Sequence, residues 1–582
     1  MYAVISILIF GADLVFFSVY GDQFNQMIFG IAYDDTTAIL ITIWKEYHPL
    51  LFFSIAIPTI FANRWLLRRW LKTSLRIPGL DLRLSDKPMA IRGVIAVAIF
   101  LLTVTVVRGG SLTGVPIELK HAFVVKDMFL NRTVINPLSA MRYAFKAKLQ
   151  LEAGSALKQF WPDENIREAL QYELKQRGET PGTGNNIDQL LTVTAPGYRG
   201  NKPKHIFLLL MESHSGWTVM PAYRDFGFSP EFTSLAKDGI YFPNFMPAGS
   251  GTIGSLSALV TGMPDTEMNI NYEPSSQQPY PSALAENMKR LGYTTRFFYG
   301  GYISWQRLDA FTHNQGFDEL YGGGAMSAGT HTNEWGVDDH YLFDYVLKTV
   351  EENADKPSFN FILSTSNHPP YDLDLAALGY PQNNKPLPAP LVPTKDNTVR
   401  VLGHLWYADQ QAGRFVRKAA RELDHAVFAI TGDHTARLNI KFPDDGVVEH
   451  NAVPFILYGP QVLPESGVMS ATAGAHMDIP STLIELAADK GYRYTAYGHN
   501  LLTKTSPSYG FGHSYIIGEN FIVNDSPNYQ IFSLSQGQAP KTLPQMTDEV
   551  TRFAALKALT WYRVRKGPNL QQTHSDNSVA QK

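Results

Sequence analysis

Four stretches of this 582-residue chain end an apolar run on side chains that can do chemistry. HIFLLLMESHSGW closes on Glu212, TTRFFYGGYISWQR on Trp305 and Arg307, FNFILSTSNHPPY on His368, and HAVFAITGDHTAR on Asp433 and His434. Two carboxylates and an imidazole form a nitrogen and oxygen ligand set suited to Mn²⁺ or Zn²⁺. Taken singly, each of these residues reads as a helix cap or turn former; as a group, with the Asp-His dipeptide, they read as ligands. A further stretch, PAGSGTIGSLSALVTG, sets one β-branched hydroxyl, Thr252, among glycines where a loop becomes a helix. A hydroxyl beside a divalent cation at a helix N-terminus loses its proton more readily, and the open N–H groups there can hold a phosphate. Read alone, the same threonine is an N-cap behind a glycine-rich turn.

These residues need elements that carry them to one place. After Lys204 short apolar runs alternate with helical segments, the pattern of a mainly parallel, doubly wound α/β sheet covered by helices. In such sheets ligands bind beyond the carboxyl ends of the strands, so Glu212, Asp433 and His434 can converge despite their separation in sequence. Near the end, SYIIGENFIVNDSPNYQIFSL alternates as a small antiparallel sheet with a turn at Asn524-Asp525-Ser526-Pro527. The catalytic domain is expected over 201–565, followed by a polar, disordered tail over 566–582. Residues 109–200, including SALKQFWPDENIREALQYELKQRG and the turn-rich TPGTGNN, read as a helical linker near the membrane.

Upstream, Ala3–Tyr20, Leu50–Leu67 and Ala90–Val107 are apolar runs near bilayer length, giving about three transmembrane helices within 1–108. The segment from Arg64 to Arg92 carries eight Arg or Lys against two Asp, a net of +6, and is expected to be cytoplasmic. The acidic stretch Gly21–His48 and everything after Arg108 then lie outside.

Composition removes several classes. Cysteine is absent, so there are no disulfides, thiolate metal sites or cysteine nucleophile. Fifty basic residues against 53 acidic ones give no global field for nucleic acid, and none is expected as a partner. The glycine loop lacks GxxxxGK[ST] and no G-x-S-x-G elbow occurs, which disfavours a P-loop ATPase or a lipase-type esterase.

The motifs MES, GSGTIGS, W-x-R, WGVDDH, SNHPPY and TGDH together resemble the lipoteichoic acid synthase branch of the sulfatase/alkaline phosphatase superfamily, over roughly Lys204–Leu502. HMDIPSTLIEL, from His476, is similar to a late segment of that superfamily. The resemblance implies that Glu212, Thr252, Asp433 and His434 bind a divalent metal, Mn²⁺ first with Zn²⁺ or Mg²⁺ as alternatives, and that Thr252 is the nucleophile. It implies that Trp305, Arg307 and His368 hold a phosphoglycerol head group, with His368 protonating the leaving alkoxide. The implied enzyme is a multi-pass protein of the bacterial cell (inner) membrane with an extracytoplasmic catalytic domain. It takes phosphoglycerol from a phospholipid such as phosphatidylglycerol, through phospho-Thr252, to a hydroxyl-bearing acceptor of the cell envelope. Two departures stand out. TIGSL lacks the Pro and Arg of the C/S-x-P-x-R element of formylglycine sulfatases, against sulfate-ester hydrolysis, and Phe298-Tyr299 stand where the synthases carry a histidine. The alternatives are a phosphoethanolamine transferase, a phosphodiester or sulfate-ester hydrolase of the same fold, or a non-catalytic envelope protein. Phosphoethanolamine transferases typically carry disulfides, which this chain cannot form.

Overall fold

The computed structural model describes residues 2–20 and 49–72, short pieces between 23 and 45 and between 76 and 101, residues 133 and 135–152, and residues 157–179 and 184–570 apart from 199, 327–331, 334, 383–384, 444–445, 464–465, 504–507, 525–529 and 535–545. The chain divides into two compact units, one made of Met1–Gly30 and Leu40–Lys148, the other mostly of Leu149–Lys582.

In the first unit the apolar runs form helices Tyr2–Tyr20 and Pro49–Lys72, the latter with Pro58 inside it. Among the described residues one stretch, Pro49–Leu66, is long and apolar enough to cross a bilayer, and Ile7–Ser18 is a shorter apolar helix. The third expected span, Ala90–Val107, falls for the most part outside the described residues.

The second unit is built on an eight-stranded sheet. Its strands in chain order are β1 (His205–Met211), β2 (Ile240–Phe242), β3 (Thr294–Tyr299), β4 (Glu319–Tyr321), β5 (Ser358–Leu363), β6 (Ala426–Gly432), β7 (Phe455–Tyr458) and β8 (Val468–Met469). They lie in the order β8-β2-β7-β6-β1-β5-β3-β4. Every pairing is parallel except the two made by β7, so the sheet is mixed with a single reversed strand. β1, β5 and β6 are buried along their whole length, which is why their sequences run apolar without alternation.

Alternate residues of these strands feed two cores. Ile206, Leu208 and Leu210 join a cluster completed by helices Thr252–Thr261, Leu284–Arg290, Asp478–Ala487 and Thr547–Lys566. Phe207, Leu209 and Met211 face the opposite cluster, closed by helices Pro230–Asp238, Asp339–Glu351 and Thr398–Glu422. Each fully buried aliphatic or aromatic side chain contributes about 1.5–3 kcal/mol over its exposed state, so both helical layers are held firmly to the sheet.

The segment 157–198, which the sequence assigns to a linker, packs into the first of these cores through Leu157, Ile166, Leu170, Leu174, Ile187 and Leu191. Its strand Thr192–Thr194 pairs antiparallel with Arg493–Thr495. The small antiparallel sheet near the C-terminus has four strands, Tyr509–Phe511, Tyr515–Gly518, Phe521–Asn524 and Ile531–Ser533. The expected turn at 525–527 and the tail beyond 570 lie outside the described residues.

Candidate active site

The four strands that end on chemically capable residues are consecutive in the sheet, in the order β6-β1-β5-β3. β6 and β1 pair in register with Gly432 opposite Met211, so the next residues, Asp433 and Glu212, leave the sheet side by side. Gly432 is required there, because a Cβ at this position would stand 2.0 Å from the carbonyl oxygen of His214. The loop after β5 is tied to the same edge: Ser364 Oγ accepts from Glu212 N at 2.9 Å, and Asn367 Nδ2 donates to the carbonyls of Glu212 and Ser213 at 3.2 Å each.

Thr252 arrives from the other direction. It is the first residue of helix Thr252–Thr261, and the capping position belongs to Gly251, whose backbone is extended. The reading of Thr252 as an N-cap is thereby corrected: its hydroxyl makes no cap bond and turns to the strand ends instead. Thr252 Oγ1 lies 2.7 Å from Asp433 Oδ2, 3.2 Å from Glu212 Oε2 and 3.5 Å from His434 Nε2. Gly249 lets the loop close against the helix, since a Cβ there would approach Gly254 Cα and Ser255 N to 2.8 Å. Ser255 Oγ then donates to the Asp433 carbonyl at 2.5 Å. Buried His476 binds the same two segments together, accepting from Ala248 N at 3.2 Å on one ring nitrogen and meeting the Gly432 carbonyl at 3.0 Å with the other.

The ligand atoms offered by Glu212, Asp433 and His434 lie within 4.8 Å of one another, and all three side chains are buried. Each carboxylate has one oxygen occupied. Glu212 Oε1 accepts from Ser213 Oγ at 2.7 Å and Arg437 Nη1 at 2.8 Å, while Asp433 Oδ1 accepts from the backbone of Ser213 and His434 at 2.7 Å each. The other oxygens, Oε2 and Oδ2, face Thr252. That arrangement fits a divalent cation: two carboxylate oxygens, a hydroxyl and an imidazole converge, with donors fixing the orientation of the carboxylates from behind.

The electrostatics agree. Burial pushes the Glu212 carboxyl up, but Arg437, His434 and His368 more than offset it and bring it to about 2. Burial and the neighbouring Glu212 charge hold Asp433 well above the ordinary carboxylate range. Two carboxylates forced together this way repel each other until a cation stands between them. Burial also keeps His434 and His368 neutral, at about 4 and about 3.

His368 lies at the border of this cluster. Its Nδ1 donates to the Pro369 carbonyl at 2.7 Å and its Nε2 accepts from Arg437 Nη2 at 3.2 Å. Trp305 and Arg307 occupy a short 3-10 turn after β3, where Gln306 and Arg307 both have left-handed backbones, φ 51° and 56°. Asn271 Nδ2 donates to the Gln306 carbonyl at 2.5 Å, and the Arg307 guanidinium lies 5.5 Å from the Tyr272 ring centroid. Arg307 is exposed, and its described contact is with this ring and not with the Thr252 cluster. Phe298 and Tyr299 are buried in the two cores. Sequence reasoning gave no role to Arg437, Ser213 or Asn367. Two of these, Ser213 and Arg437, take left-handed backbones at φ 50° and 69°, a mark of functional loops that composition does not reveal.

Residues 204–490 match the family model described as Sulfatase. Phosphoglycerol transferase I of Salmonella choleraesuis (strain SC-B67) is 24% identical over 304 residues, covering 48% of this chain and 37% of that protein. The match thus spans little more than a third of that curated relative. A protein of the alkaline phosphatase superfamily from Vibrio parahaemolyticus superposes with a TM-score of 0.54 at 19% identity, covering 72% of this chain and 100% of that one. The lipoteichoic acid synthase LtaP from Listeria monocytogenes gives 0.53 at 17% identity, covering 64% and 95%. Residues 204–490 thus carry a match to the sulfatase family model, and both superpositions establish an α/β fold of the sulfatase/alkaline phosphatase kind with a mixed central sheet.

Proposed function

We propose that this chain is a membrane-anchored, metal-dependent phosphotransferase that moves a phosphoglycerol group from a phospholipid such as phosphatidylglycerol to a hydroxyl of a cell-envelope acceptor, through phospho-Thr252. The observation that carries the reading is the placement of Thr252 Oγ1, at the first residue of a helix and 2.7 to 3.5 Å from three donor atoms. The name of the Salmonella relative, a phosphoglycerol transferase, supports the choice of group.

Glu212, Asp433, His434 and Thr252 would hold the metal, with Mn²⁺ favoured by a set rich in oxygen around one imidazole. Such a cation supplies the positive charge that makes the Thr252 hydroxyl acidic. The helix N-terminus presents N–H groups to the phosphoryl oxygens. His368 enters with a lone pair on Nε2, so it accepts a proton before it donates one to the leaving lipid oxygen. Trp305 and Arg307 would form the outer wall, the indole against the glyceryl carbons and the guanidinium toward the phosphate. A cationic ethanolamine would call for an acid there, and the nearest in sequence, Asp309, spends its carboxylate on Ala310 N at 2.7 Å.

The test is mass spectrometry of the protein after incubation with labelled phosphatidylglycerol, with phosphatidylethanolamine in parallel. A phosphoglycerol mass on Thr252, absent from Thr252→Ala, is expected; turnover by Thr252→Ala at the wild-type rate removes the nucleophile assignment. Preference for the ethanolamine lipid would replace the head group and leave the Thr252 chemistry. We place the catalytic domain outside the cytoplasm on the +6 charge of Arg64–Arg92. A reporter fused after Arg108 should then be active in the periplasmic or external space and one inside Arg64–Arg92 should not.

A further inference from the structure

Arg437 follows His434 by three residues and is largely buried, its side chain 13% exposed, on a left-handed backbone with φ 69°. Its guanidinium is a bridge. Nη1 donates to Glu212 Oε1 at 2.8 Å and to Ser213 Oγ at 3.1 Å, and Nη2 donates to His368 Nε2 at 3.2 Å. The tautomer of His368 follows from its other contact: the Pro369 carbonyl can only accept, so Nδ1 carries the hydrogen and Nε2 presents a lone pair. A charged donor is therefore directed at a neutral nitrogen, next to a cluster read as a phosphoryl-transfer site.

We propose that Arg437 is the inner phosphate-binding cation of this site, with Nη1 remaining on Glu212 while Nη2 moves from His368 Nε2 to a non-bridging oxygen of the substrate phosphoryl group. The inference rests on the Thr252 reading above. Three features support it. A guanidinium gains an opposite charge as well as a hydrogen bond from a phosphate oxygen and can meet it in a forked geometry, so phosphate displaces the neutral imidazole as the partner of Nη2. Arg437 and Thr252 are bound to the two oxygens of one carboxylate, Oε1 at 2.8 Å and Oε2 at 3.2 Å, so a phosphoryl group attached to Oγ1 lies within reach of the guanidinium. The anchor on Glu212 holds the planar fork in place, so only one end has to move.

The exchange also prepares His368. Once Nη2 leaves, the Nε2 lone pair can take the proton released from Thr252 Oγ1 as the Oγ1–P bond forms and the bond from phosphorus to the lipid oxygen breaks; that proton then passes to the leaving oxygen. Arg307, exposed over Tyr272, reaches the head group from the outer wall and does not replace Arg437 beside Glu212.

The experiment is calorimetric titration of inorganic phosphate into the 582-residue protein in detergent, for wild type, Arg437→Gln and Arg437→Lys. Each protein is held at Mn²⁺ concentrations that saturate it, checked by the Mn²⁺ spin-resonance signal, so that a weaker metal site is not read as a weaker phosphate site. Arg437→Gln should weaken phosphate binding at least tenfold, and Arg437→Lys should recover part of that loss. Phosphate affinity in Arg437→Gln within threefold of wild type would overturn the proposal. So would an Arg437→Gln protein that no Mn²⁺ concentration can load, since Arg437 would then serve Glu212 alone. No transfer is measured, so a negative result leaves the Thr252 reading intact.

Discussion

The carboxylate oxygens of Glu212 and Asp433 divide their work, one oxygen held by protein donors and the other facing Thr252. Glu212→Gln and Asp433→Asn keep the shape and remove the charge, so both proteins are expected to fold and to purify without bound Mn²⁺. Elemental analysis checks this, and a full metal complement in either would refute the ligand assignment. Ser213→Ala removes only a donor behind Glu212 and should lower Mn²⁺ affinity about 10- to 100-fold, the usual effect of losing an outer partner of a ligand. Glu212, Asp433 and His434 were legible in the sequence because each ends a continuous apolar run. Arg437 was not: it stands in the quoted GDHTAR stretch, but neither period nor propensity marks a loop arginine whose guanidinium folds back onto a neighbouring strand end.

The loop after β5 carries Asn367 and His368, and two elements from the opposite layer hold it. Asp339, opening helix Asp339–Glu351, accepts from Thr365 N at 2.9 Å and Ser366 N at 3.1 Å. His404, on helix Thr398–Glu422, donates from Nδ1 to the Ser366 carbonyl at 2.7 Å and accepts at Nε2 from Leu373 N at 3.2 Å. Burial lowers the His404 imidazole from 6.5 to about 4. Between these values the unfolded chain binds the extra proton and the folded one does not. Stability present above pH 6.5 is therefore lost as pH falls toward 4, at about 1.4 kcal/mol per pH unit. His404→Gln keeps a donor and an acceptor but cannot titrate, so its unfolding free energy should fall less steeply between pH 6.5 and 4.5. The comparison isolates His404 from Asp339, which burial raises to about 6 and which acts in the opposite direction. Equal slopes in the two proteins would remove His404 from the balance. The sequence showed that four strands end at chemistry; it did not show that β7 runs backwards, because FILY is equally apolar in either direction.

At the scale of the molecule, the helix Ile166–Gln176 and the C-terminal helix Thr547–Lys566 are joined through a buried carboxylate. Glu173 accepts from Arg177 Nε at 2.7 Å and from Arg552 at 2.9 and 3.0 Å. Arg563 Nε reaches both oxygens of Asp188 at 2.8 Å. Glu173→Ala would leave two guanidiniums without their anion and should cost about 3–5 kcal/mol, read as a drop in denaturation midpoint. A chain begun at residue 201 should be insoluble or melt far lower than one begun at 157, because it lacks Leu170, Leu174, Ile187 and Leu191 of the core. Equal melting of the two would show the segment to be dispensable. The sequence placed these helices in a linker because an amphipathic stripe looks the same whether it meets a membrane surface or a domain core. The last described residues return to the same segment: Leu570 N donates to the Asn185 carbonyl at 2.7 Å and Ile187 N to the Pro568 carbonyl at 2.8 Å. Entry to and exit from the domain are thus one seam. Tension applied to the chain at residue 157 should therefore load the C-terminal helix and its ion pairs before it reaches the strands that carry Glu212 and Asp433.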